Sequence, residues 1–185
     1  PYTAAMTDEL ESWRGQYVNF SRLLTLFEQE LAAFARDESD HVLMRDLVLS
    51  LRQYADRHHR LREGLLFEPL VAGDPDLAIP VERLRQEYRV LEVAGNGLAE
   101  RLEELMSDVL IGREPIESDA TTFLVYLRHH LMVEERDLLP RAASLLGPEH
   151  RQALRQACEP QLDPLFGEQP DPRFLELRRR LQREA

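Results

Sequence analysis

The chain has 185 residues, 43% of them hydrophobic and 31% charged, with a formal net charge of −11. This composition excludes a disordered chain and suits one globular domain with at most an appendage. The acidic balance argues against binding to nucleic acid or to anionic membranes, no apolar run approaches the roughly 20 residues of a membrane span, and the single cysteine, Cys158, excludes an internal disulfide.

The opening stretch, PYTAAMTDELESW, lacks the basic and apolar regions of a signal peptide. Together with the lone thiol this predicts a reducing, cytoplasmic setting. The first helical segment places Tyr17, Phe20, Leu24, Phe27, Leu31 and Phe34 at intervals of three and four, which is an apolar seam down one helix face. ARDESD (Ala35–Asp40) breaks it. The second segment carries Leu47, Leu51, Ala55, His59, Glu63, Leu66 and Leu70, and AGDPDLAIP (Ala72–Pro80) breaks that in turn. The third reads Leu84, Tyr88, Leu91, Gly95, Leu98, Leu102 and Leu105 before IGREP (Ile111–Pro115). The fourth carries Phe123, Leu127, His130, Glu134 and Leu138 and closes at LGPEH (Leu146–His150). No stretch shows strand alternation bounded by hairpin turns. The pattern predicts an all-α fold, an up-down-up-down antiparallel four-helix bundle over residues 8–147. An extension follows over 148–185: a short helix in GPEHRQALRQAC, an irregular proline-rich stretch, and a basic terminal helix in RFLELRRRLQREA. Those terminal arginines read as a solvated helix face rather than a nucleic-acid tail.

Two seams break the apolar rule. RHHRLREGLLFEP at Arg57–Pro69 and RHHLMVEERDLLP at Arg128–Pro140 each carry a double histidine, an acid, an apolar run and a proline. Residues four apart share a helix face, so His59 and Glu63 point one way, as do His130 and Glu134. Consecutive helix residues diverge by about 100°, so only one histidine of each pair turns squarely inward. The second of each pair is the one with an acid one turn on. His59 to His130, Glu63 to Glu134, and Tyr17 to Tyr88 are all separated by 71 residues. The chain therefore reads as two helix pairs, each contributing Tyr and then His-x-x-x-Glu, with six side chains converging about a pseudo-twofold axis.

A lone His-x-x-x-Glu is most simply a surface pair, and a lone buried tyrosine is most simply packing with a bonded hydroxyl. The shared offset is what favours a metal site, because histidines and carboxylates without partners are costly inside a bundle and a metal ion bonds both. No G-x-S-x-G elbow and no glycine-rich phosphate loop is present. Trp13 and Tyr54 read as packing residues and Cys158 as an ordinary thiol; His41 and His150 are given no role.

At these residues the sequence resembles the hemerythrin-like family, the HHE cation-binding domain. HRLREGLLFEPL (His59–Leu70) and HLMVEERDLLPRA (His130–Ala142) resemble its second- and fourth-helix motifs. QYVNFSRLLTLFEQEL resembles its first helix, LRQEYRVLE its third, and DPLFG (Asp163–Gly167) a segment that often follows the bundle. The resemblance implies a four-helix bundle holding two non-haem iron ions, with manganese or another divalent metal as the substitute. Carried over by position, His59 and His130 would be terminal nitrogen ligands and Glu63 and Glu134 would bridge the ions. Tyr17 and Tyr88 stand where the family has histidine; they would be phenolate ligands or would mark a lost site. Glu92, one turn after Tyr88, is a further candidate oxygen ligand.

Anionic oxygen ligands favour the higher-charged metal, so phenolates should stabilise the diferric pair. Reversible dioxygen carriage needs an accessible diferrous state, so peroxide or nitric oxide chemistry, or redox sensing, is the expectation. The small-molecule partners are then dioxygen, peroxide or nitric oxide, and self-association as a homodimer is compatible with the sequence. Two alternatives stand beside this: a metal-free bundle acting as a regulatory interaction module, and a binding protein that holds metal without turnover.

Overall fold

The computed structural model describes residues 2–107, 110–157 and 165–183, and side chains within them from residue 15 onward except 58–62, 155 and 157. The rings of His58 and His59, the side chain of Trp13, Cys158 and the start of the DPLFG segment therefore lie outside the described residues. Among the described residues the secondary structure is entirely helical.

Helix α1 spans Tyr2–Phe34 and α2 spans His41–Arg62. A π-helical turn, Glu63–Phe67, leads into α3, Glu68–Gly73. A 3-10 turn at Pro75–Leu77 leads into α4, Ala78–Met106. Helix α5, Arg113–Val133, runs through a second π-helical turn, Glu134–Leu138, into α6, Leu139–Leu145. Helix α7 is Pro148–Ala157, and a 3-10 turn at Pro172–Phe174 precedes α8, Leu175–Arg183. The expected break at 72–80 is tighter than the sequence suggests, since Pro80 sits in the first turn of α4, where its missing N–H costs nothing.

Capping explains the sharp boundaries. Asp40 accepts the Leu43 amide at 3.0 Å and starts α2. Asp37, at the turn after α1, has φ 60, a left-handed conformation that aspartate tolerates better than most residues.

Helix α1 packs on α2 and α5, and α4 packs on the same two, closing a ring around the core. Polar pairs record the register: Tyr17 with Glu134, Glu28 with Arg128 and Asp37 with Arg113 between α1 and α5's rod; Asp56 with Tyr88 and Arg52 with Asn96 between α2 and α4; Glu87 with His129 and Arg101 with Asp119 between α4 and α5. In each set the numbers rise along one helix as they fall along the other.

Many of the seam residues named from sequence are buried in the core, while Leu31, Ala55 and Leu105 are half-buried and pack against it. Phe20, Phe27, Leu47, Leu51, Leu98 and Phe123 anchor one cluster; Leu66, Leu70, Leu84, Leu138 and Leu139 anchor a second. The terminal helix keeps Arg179 and Arg183 in solvent and docks by its opposite face. Leu177 and Leu181 are buried in the first cluster, and Arg180 lies 3.7 Å from Glu30 and 3.3 Å from Asp40. Its 100°-per-residue pattern puts these leucines on one side and the arginines along the flanks.

Candidate metal centre

The two apolar clusters meet at a polar level formed by α1, α4 and α5. His130 is 4% exposed and Glu134 1% exposed, so both are inside the bundle. His130 Nε2 lies 3.3 Å from Glu134 Oε1, as a helix face shared at i and i+4 requires. The Tyr17 hydroxyl comes from α1 and donates to Glu134 Oε2 at 3.1 Å. An imidazole nitrogen, a carboxylate and a phenol thus converge in a dry site, a donor set that suits iron or manganese. Burying a carboxylate is costly unless it is hydrogen-bonded or bound to cations, and Glu134 has its phenol and imidazole neighbours for that reason.

Local backbone aims these groups. The Leu139 N–H reaches back five residues to the Glu134 carbonyl, which is the bond of a π turn. Pro140 follows; it has no N–H, and its ring would collide with the carbonyl four residues back in a regular helix. The wider turn accommodates it. The same device recurs at Glu63–Phe67 ahead of Pro69, so both π turns begin on the motif glutamate. Such single-turn bulges are frequent at functional sites.

The other predicted residues are placed differently. Glu63 has a side chain 45% exposed and accepts a hydrogen bond from Arg85 Nε at 3.1 Å. Tyr88 has its ring centre 6.5 Å from that of His130, but its hydroxyl donates to Asp56 Oδ1 at 2.5 Å. Glu92 is exposed. His129, the outward member of its pair, has Nδ1 3.0 Å from Glu87 Oε2. Among the described residues no three His, Cys, Asp or Glu side chains are placed together to hold a metal ion. The group that does assemble is His130, Glu134 and Tyr17, with Tyr88 beside it.

Sequence reasoning did not select Asp56, Arg85 or Glu87. Asp56 lies 71 positions before Leu127, so the repeat itself hides it behind an apolar counterpart. Beside it, a cleft of about 340 Å³ opens between α2 and α4, lined by Arg52, Asp56, Tyr88, Glu92, Phe123 and Phe174 among others.

A helical bundle with a buried His-x-x-x-Glu on one helix and a second such motif in sequence defines a class of cation-binding domain. The profile of the hemerythrin HHE cation-binding domain matches residues 8–142, and the chain belongs to that family. No curated protein and no solved structure matches the chain. Domains of this family bind metal cations, typically iron. No helix among the described residues is long and apolar enough to cross a membrane.

Proposed function

We propose that the chain is a metal-binding hemerythrin-like protein whose centre holds two non-haem iron ions in an up-down-up-down bundle over residues 8–147, working in a cytoplasmic setting. The observation that carries this reading is the buried convergence of His130, Glu134 and Tyr17. His59 and Glu63 are the corresponding ligands of the other half, and Tyr88 stands at the rim. Iron bound there supplies reversible one-electron redox change and a Lewis-acidic position for peroxide, dioxygen or nitric oxide. Glu134 would bring a carboxylate and His130 an imidazole nitrogen to such an ion. The Tyr17 phenol, whose reference pKa is near 10, would bind a ferric ion as a phenolate, and its negative charge would favour the oxidised state. Peroxide or nitric oxide chemistry, or redox sensing, follows from that preference better than dioxygen carriage does.

Elemental analysis of the purified chain tests the reading. Two irons per chain are expected, and the joint substitution His59→Ala with His130→Ala should abolish loading. Full metal content in that double variant would sink the assignment. The Tyr17–Glu134 hydrogen bond also suits a second reading, a metal-free interaction module with a satisfied polar core; protein refolded with iron that retains none would establish it.

A further inference from the structure

The two halves of the centre are alike in sequence and unlike in structure. Tyr17 and Tyr88 stand 71 residues apart, as do Glu63 and Glu134. If the halves were equivalent, Tyr88 would meet Glu63 as Tyr17 meets Glu134. Instead Tyr88 donates to Asp56, and Glu63 is engaged by Arg85. Asp56 has Leu127 as its counterpart at the same offset, and Leu127 is buried in the apolar cluster. The carboxylate at 56 is therefore what breaks the symmetry. A phenol donating to a carboxylate makes a charge-assisted bond, roughly twice as strong as a neutral one. That bond holds the Tyr88 oxygen on the side of the α2–α4 cleft that both residues line. A phenol ligates a metal only with its oxygen turned to the ion.

We propose that Asp56 is a positioning residue that withdraws Tyr88 from the ligand set, so that of the two tyrosines only Tyr17 binds iron as a phenolate. The proposal rests on the di-iron reading above. It predicts that the iron-loaded protein carries a single phenolate, with the Tyr88 oxygen kept on the cleft side.

The test loads the metal-free full chain with ferric iron and records iron content and the visible phenolate-to-iron absorption. Tyr17→Phe should lose the band and Tyr88→Phe should keep it. Asp56→Leu, which matches the other half, should strengthen it by adding a second phenolate. Asp56→Asn, whose amide oxygen still accepts from Tyr88 but without the charge, should strengthen the band less than Asp56→Leu does. Loss of the band in Tyr88→Phe, or an unchanged band in Asp56→Leu at equal iron content, would overturn the proposal; Asp56→Ala repeats the test should the leucine variant fold poorly. Absence of iron in every variant would instead defeat the di-iron reading. In that case nuclear Overhauser contacts in the iron-free protein decide: Asp56→Leu should shift the Tyr88 ring toward Glu63 and Glu134, and retention of its original contacts would refute the positioning role.

Discussion

Tyr17 and Glu134 are 117 positions apart in sequence, and a 3.1 Å hydrogen bond joins them inside the bundle on the face that carries His130. The bond links α1 to the π turn after α5, so it ties the first helix of the chain to the backbone irregularity that aims the motif glutamate. Replacing the phenol by Phe keeps the packing and removes the donor. A buried carboxylate that loses a donor costs about 1–3 kcal/mol. Tyr17→Phe should therefore lower the urea-unfolding free energy of the metal-free protein by about that amount, and an unchanged midpoint would show that the bond contributes nothing.

At Gly95 helix α4 packs tightly against its neighbours. A Cβ built there would sit 2.9 Å from Phe123 Cε2 and 3.1 Å from the Arg52 side chain. The arginine stem can move, but the Phe123 ring is enclosed by the core. Alanine would gain about 1 kcal/mol in helix propensity, while overpacking of this kind costs about 1–3 kcal/mol. Gly95→Ala should be net destabilising, read as a Tm lower by a few degrees, and it should also displace Arg52 from Asn96. A higher Tm would mean that α4 and α5 separate without penalty.

Much of this was legible in the residues themselves. The apolar seams marked the long helical segments and many of the core residues, because periodicity of three and four has no other inexpensive outcome at this length. His130, Glu134 and Tyr17 were legible because polar groups on an apolar seam demand partners. The 71-residue offset failed where it was extended to whole helices. The buried stripe of α2 runs through Leu47, Leu51 and Tyr54, whereas that of α5 runs through Ala120, Phe123 and Leu127. The counterparts of Phe123 and Leu127 are Arg52 and Asp56, which are only half-buried. A repeat in key residues therefore did not fix the rotation of the helix that bears them. The π turns were hidden too, since a proline after an apolar run signals a kink without saying which kind.

The 3-10 turn ahead of α8 gives a pH dependence with a definite sign. The Arg173 side chain, and then its backbone N–H, donate to Asp171 and hold its carboxyl below the usual value of 3.8. A depressed folded value means that the contribution is fully present above the unfolded value and is lost only as pH falls through the lower, folded one. The Arg173 amide resonance should thus stay constant from neutral pH down to about 4 and move only below it. Asp171→Asn should flatten the low-pH movement. A midpoint above the ordinary aspartate value would contradict the cap.

The C-terminal extension shares a core with the bundle. Phe174, Leu177 and Leu181 lie in the same apolar cluster as Phe20 and Phe27. Arg22 of α1 donates to the Leu181 carbonyl at 2.7 Å, and Arg178 donates to the Gly167 carbonyl at 2.9 Å. Asp40 caps α2 with one oxygen and meets Arg180 with the other, so the start of α2 and the docking of α8 depend on one carboxylate. A segment that fills the common core cannot leave without opening it. Truncating Leu177 to Ala removes a buried side chain, a change that costs about 2–5 kcal/mol in well-packed cores. That loss should appear in the global unfolding transition, with far-UV circular dichroism and the near-UV signal of the buried Tyr17 and Tyr54 moving together at a lower urea midpoint. Two separated transitions, with the near-UV signal unaffected by Leu177→Ala, would show instead that residues 148–185 form a unit of their own on a self-sufficient bundle.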